Sequence, residues 1–173
     1  MASTLKSRMT VAVVLLLIAA TSGRSQQPPA GGVWTDPATG LMWAGKDNGK
    51  DVTWNKAVKY CRELRLAGYS DWRLANMFEL QPLYDKSANA PGLAGPHDDD
   101  PTMWHIKGNL FLTGYVWSSN DILDDRGKPS GYAFYFDFNE GKSTKDQKGY
   151  STFKHALCVR GSGDPLGGQR QQP

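Results

Sequence analysis

The chain carries two cysteines, Cys61 and Cys158, roughly 100 positions apart, and what they can do depends on the compartment they enter. The N-terminus bears on that. Lys6 and Arg8 precede an apolar run from Met9 to Ala20, and small residues follow at Thr21, Ser22 and Gly23. A basic start, a short apolar stretch and small residues are the parts of a secretory signal peptide. The run is shorter than the roughly 20 residues a membrane span needs. Residues 1–23 are therefore expected to be a signal peptide; a buried N-terminal helix or an uncleaved anchor are the alternatives. Export places the thiols in an oxidising compartment, where an even count suggests a disulfide. It would join the first third of the domain to its last strand. Closing a loop of that length is worth about 4–5 kcal/mol in the chain-entropy model. Two buried free thiols are the other reading. A disulfide would leave neither cysteine as a nucleophile or metal ligand.

Charge is reinterpreted by the same segment. The leader holds two basic and no acidic residues, so the formal +3 of the 173-residue chain falls to +1 in the mature one. The basic balance is thus no sign of nucleic-acid binding, and no membrane span is expected after cleavage. About 150 mature residues fit one domain. Residues 24–32 form a Pro/Gly/Gln linker and 162–173 a similar tail, each too poor in apolar residues to offset the entropy of ordering. The folded domain is expected at 33–161.

Within it, Val33–Thr35 and Leu41–Trp43 read as short strands around a turn at Asp36–Gly40. Thr53 can cap a helix from Trp54 to about Leu66, with Trp54, Ala57, Val58, Cys61 and Leu64 on one face. Gly68 would stop it. Trp72–Leu74 reads as a strand. Asn76 caps a second helix, with Glu79 completing a capping box, and Pro82 keeps that helix short or distorted. Asp85 to Thr113 shows no clear period, and so long an irregular segment in a compact domain is often functional. Tyr115–Ser119 is a strand, Asn120–Ser130 a polar loop, and Tyr132 to Phe138 a strand of period two. Asn139–Gly141 makes a hairpin turn. Lys142–Tyr150 reads as an exposed strand or loop, and Ala156–Arg160 closes the domain. Two helices early and several short strands late make an α+β fold.

These residues resemble a known family. Trp34-Thr35-Asp36, Thr39-Gly40-Leu41-Met42-Trp43, Trp54 with Ala57, Tyr60-Cys61 and Leu64, Gly68 to Leu74 with Glu79-Leu80, Trp117-Ser118-Ser119 and Cys158-Val159-Arg160 look like the Lcl C-terminal domain, a bacterial exported domain. The resemblance spans Val33 to Arg160, and Gly68 to Leu80 is its most specific part. It implies a C-type-lectin-like fold: two early helices, a short-stranded antiparallel sheet and a long irregular loop region. It also implies a disulfide between the first helix and the last strand, and a role in adhesion with glycan or polyanion binding. Trp43, Trp72, Arg73, Glu79, Trp117 and Arg160 carry its structural motif. Ala75 stands where a proline is usual, and Asn120 where a small residue is usual; both bear on local turns.

Trp43, Trp54, Trp72 and Trp117 are expected in the core. Trp104 and Tyr115 border the irregular segment and are the aromatic ligand candidates. Arg73 beside Asp71 reads as an internal ion pair. Asp98, Asp99 and Asp100, next to His97, form one acidic loop cluster, and Asn120-Asp121 with Asp124-Asp125 form another. Calcium takes six to eight oxygens, which such loops could supply. Solvated loops are the plainer reading, because the Glu-Pro-Asn, Gln-Pro-Asp and Trp-Asn-Asp segments of calcium-dependent lectins are absent. His97, His105 and His155 lack zinc spacing. Lys142, Lys145, Lys148 and Lys154 with His155 make a basic stretch whose alternation splits Lys145 from Lys142 and Lys148. A soluble edge is the bland reading; an acidic-glycan site is the sharper one. No enzyme is expected, since nothing near Ser118 and Ser119 would activate them. The sequence points to an exported, non-catalytic binding module at the cell envelope that takes a glycan or polyanion through the loops from Asp85 to Ser130, with no cofactor unless calcium. The alternatives are a structural or protein-interaction domain with an envelope protein as partner and no small ligand, and, distantly, an uncharacterised enzyme.

Overall fold

The structure is a computed structural model that describes residues 32–90, 104–108 and 110–161. The expectations for the signal peptide, most of the linker, the tail, and His97 with Asp98, Asp99 and Asp100 lie outside the described residues. Among the described residues no helix is long and apolar enough to cross a membrane.

Two four-stranded sheets and two early helices give an α+β arrangement. The first sheet holds β1 (Val33–Thr35), β2 (Met42–Ala44), β3 (Arg73–Leu74) and β8 (Cys158–Arg160), in the order β1-β2-β8-β3. Its pairs are antiparallel, so the end of the chain lies between two strands from its beginning. The second holds β4 (Tyr115–Leu123), β5 (Pro129–Asp137), β6 (Lys142–Gln147) and β7 (Lys154–His155), in the order β6-β5-β4-β7. It differs from the expected antiparallel sheet of short strands. β4 and β5 run nine residues each, and β4 pairs β7 in parallel. The expected loop at Asn120–Ser130 is mostly ladder, because Asp121 pairs with Ala133 and Leu123 with Pro129 across register shifts. Only the tip, 124–128, is a turn.

Helix α1 (Trp54–Glu63) begins where expected but ends three residues early, and Thr53 makes no side-chain cap. Ala67 and Gly68 both take positive φ in the turn that follows. Helix α2 (Met77–Leu80) has the expected capping box: Asn76 Oδ1 accepts from the Glu79 N–H at 3.0 Å, and Glu79 Oε2 from the Asn76 N–H at 2.9 Å. Pro82 sits in the 3-10 turn Gln81–Leu83 that finishes it, which accounts for the short helix.

Pleating sends successive side chains to opposite faces, and here both faces are covered. Trp43, Val116, Phe136 and Val159 enter one core with Leu80, Leu83 and Phe138. Ala44, Trp117, Ala133 and Cys158 enter a second core with Ala57, Cys61 and Trp72. The Cys61–Cys158 disulfide lies in the second core and ties α1 to β8. Trp43, Trp72 and Trp117 are buried as expected. The described part of the irregular segment contributes to the core. Ala90, Trp104, Ile106, Leu110 and Leu112 are all buried in the first core, where each large side chain contributes about 1.5–3 kcal/mol. Single bridges Tyr84 to Ile106 and Lys46 to Phe111 pin it to the frame, and Ala90 to Trp104 ties it to itself.

Candidate functional site

The arginine motif supports the frame, with partners other than those the sequence suggested. Arg73 does not pair with Asp71. Its guanidinium grips Glu79 bidentately, with N···O distances of 2.7 and 2.5 Å, and also donates to the Gly161 carbonyl. Asp71 instead accepts from Arg160 at 2.8 and 3.1 Å, which holds its carboxyl below the usual range. Arg160 also lies over the Tyr69 ring, 3.6 Å from its centre. The pairs fasten β3 and the residues just before it to their surroundings and occupy the guanidinium groups of both Arg73 and Arg160.

The aromatic candidates divide. Trp104 is fully buried and meets Tyr115 edge-on. An indole with no exposed face offers no platform for a sugar, so Trp104 is corrected from ligand candidate to core residue. Tyr115 is half-buried between Trp104 and Tyr135. Its hydroxyl is pushed up by burial first and by Asp137 second. Little of that ring is left to stack on.

The basic stretch also divides. Lys148 leaves the sheet, pairs with Asp121 at 2.5 Å and covers the Trp54 ring at 4.4 Å. Lys154 is buried, paired with Asp146 at 2.7 Å and placed between Tyr135 and Tyr150. Neither is available to a polyanion, and Lys148 is corrected on that ground. Lys142 is exposed but paired with Glu140 at 2.7 Å. Lys145 is exposed and shows no ion pair among the described residues. Of the second acidic cluster, Asp121 is taken by Lys148, and Asp124 Oδ1 caps the hairpin tip by accepting from the Arg126 and Lys128 N–H groups. Among the described residues no group of three or more His, Cys, Asp or Glu side chains is disposed to hold a metal.

The β5–β6 register then decides what Lys145 stands beside. Phe134 is opposite Lys145 and Tyr132 opposite Gln147, and opposed residues share a face. The aromatic row Phe138, Phe136, Phe134, Tyr132 runs along that face. It passes from fully buried through half-buried to 39% exposed at Tyr132. The strand outruns the core, and the last rings emerge beside Lys145 and Gln147. Gln147 Nε2 lies 3.5 Å from the Tyr132 hydroxyl. The sequence already showed the period-two aromatic row. It could not show where the core stops beneath it.

One cluster was absent from the sequence reading. His155 is buried between two aspartates: Nδ1 lies 3.1 Å from Asp47 Oδ2, and Nε2 3.2 Å from Asp51 Oδ1. The Thr113 hydroxyl is 2.7 Å from Nδ1 and donates to Asp47, which also accepts from the Thr113 N–H at 2.6 Å. Burial alone would push the His155 pKa down, but the bonds and charges of Asp47 and Asp51 outweigh it and raise the value. The four residues come from three distant stretches, so no local motif could have found them.

A family model described as the Lcl C-terminal domain matches residues 32–160, and the chain belongs to that family. A comparison with curated proteins found no match.

Proposed function

We propose that this domain is an exported, non-catalytic binding module that acts at the bacterial cell envelope and takes an acidic glycan on the β5–β6 face. The observation that carries the reading is the emergence of Tyr132 and Phe134 from the core beside Lys145 and Gln147. Aromatic faces pack against the apolar C–H side of a sugar ring. A lysine beside them that has no ion-pair partner among the described residues can meet a sulfate or carboxylate, and Gln147 supplies both donor and acceptor. The proposed site thus lies on the lysine-bearing strand β6 and its neighbour β5, rather than on the loops from Asp85 to Ser130. The test is a glycan array and a heparin-binding titration with and without calcium. Tyr132→Ala and Lys145→Gln are each expected to weaken binding about tenfold, and the lysine variant to flatten its salt dependence. Unchanged binding in both variants would remove the reading. Loss of binding on chelation would direct attention to Asp98, Asp99 and Asp100 instead.

A second reading is a protein-interaction domain. It is favoured by the position of β6 at the outside of its sheet, where an extended segment of an envelope protein could add as a further strand. A chain that binds no glycan on the array would favour it.

A further inference from the structure

His155 is a buried titratable side chain that the β5–β6 face does not use. Its two ring nitrogens each confront a carboxylate, at 3.1 and 3.2 Å. A neutral imidazole has one N–H and satisfies one of them; the imidazolium donates to both. The two carboxylates differ. Asp47 is 1% exposed and is further held by the Gly49 N–H and by both the N–H and hydroxyl of Thr113. Asp51 is 46% exposed, and beyond the histidine it accepts from the Phe153 N–H at 3.0 Å.

Phe153 marks what this holds in place. Its φ is +59°, in the left-handed region that is a genuine outlier for a bulky residue. The Tyr115 N–H donates to its carbonyl at 2.8 Å. Gly114 completes the contact: a Cβ there would lie 2.7 Å from His155 Cδ2 and 2.8 Å from the Phe153 oxygen. The ring, the strained bend and the start of β4 are thus packed onto the loop at 47–51. The other titratable groups nearby do not replace the histidine. Tyr60 on α1 feels Asp47, its hydroxyl raised by burial first and that charge second. Lys154 turns to Asp146, and Lys46 and Lys50 are exposed.

We propose that Asp47, His155 and Asp51 form a proton-operated latch. The imidazolium clamps the Ser151–Phe153 bend to the 47–51 loop. The proton lost to solvent is the one on Nε2, which faces the half-exposed Asp51, and Asp51 is released. Nδ1 keeps its proton for the buried Asp47, which solvent does not reach and which also takes the Thr113 hydroxyl. With Asp51 no longer anchored on the ring, the bend it holds through the Phe153 N–H loosens, while Thr113 stays tied to Asp47. Because the carboxylates favour the charged ring, the latch is closed at and below the ordinary histidine range and opens as pH rises above it.

Amide hydrogen exchange at pH 6 and pH 9, corrected for intrinsic rates, tests this directly. Protection of the Phe153 amide is expected to fall about tenfold more than that of the β5 amides between the two pH values. Thr113 should behave like β5. In His155→Gln the Phe153 amide should show the low protection at both pH values. If that variant does not fold, Asp51→Asn carries the test at a half-exposed position and should abolish the extra pH dependence. A Phe153 amide that tracks β5, a variant that keeps the wild-type pH difference, or a ring that titrates at or below the ordinary histidine value would each overturn the latch.

Discussion

Lys142 to Cys158 looks like one basic stretch in the sequence, but its two halves have opposite fates. In the first half, β6 lies outermost in its sheet, and its lysines project into solvent or pair with an exposed glutamate. In the second, Lys154 and His155 are buried and each is held by carboxylate. The halves have the same residue types and differ in what the fold brings up to them. β7 is an inner wall because β4 pairs with it on one side while the 47–52 loop closes over it, with Val52 N–H donating to the Lys154 carbonyl. β6 receives a neighbour on one side only among the described strands. A positive charge near the C-terminus is therefore a ligand candidate in one place and a structural member eleven or so residues later.

The contrast can be broken by substitution. The largest expected effect is at Cys158, which ends the buried half. Replacing both Cys61 and Cys158 by serine should cost about 4–5 kcal/mol in urea denaturation, since the bridge closes a loop of nearly 100 residues. A loss under about 1 kcal/mol would mean that β8 is held without it. Lys154→Ala should cost about 2–3 kcal/mol by leaving Asp146 unpaired and removing the ammonium from between two tyrosine rings. The exposed Lys142→Ala should leave Tm within about 1 °C of the parent. Equal effects at the two lysines would erase the distinction.

Glycines sharpen it further. Gly114→Ala should cost about 1–3 kcal/mol, because the new Cβ meets the His155 ring and the Phe153 backbone. Gly149→Ala, with nothing within 4 Å, should stay within about 0.5 kcal/mol. The smallest expected effect is a pH dependence. The folded His155 pKa is raised, so its contribution is complete below the ordinary histidine value and is lost as pH rises through the folded value. Stability measured from pH 6 to 9 should decline in the parent by more than in His155→Gln. Parallel curves would sink that expectation.

Much of the fold was legible because local physics expressed it. Asn76 and Glu79 at capping-box spacing, the apolar face of α1 and the Asn139–Gly141 turn all depend on neighbours within a few residues. Gly141 takes a positive φ in that turn, as a hairpin requires. The errors have one physical cause. Trp104 reads as a ligand candidate because it borders an irregular segment rich in glycine, proline, asparagine and aspartate. A segment without a period can still be drawn into a core by single bridges and a few large side chains. Arg73 was matched to its sequence neighbour Asp71. On a strand, residues two apart share a side, but β8 supplied Arg160 as a competitor and α2 supplied Glu79 as a better partner.

By itself the sequence determined the class of the domain, the cysteine pair that closes it, the burial of Trp43, Trp72 and Trp117 and the period of its aromatic strand. These rest on composition, on helical or strand spacing and on the few buried positions able to hold large apolar groups. Tertiary structure alone decided which lysines remained in solvent, where the aromatic row left the core, and that Asp47, Asp51, Thr113 and His155 would meet. Each of those depends on contacts between stretches dozens of residues apart, and no periodicity along the chain encodes which distant carboxylate will arrive at a given ring.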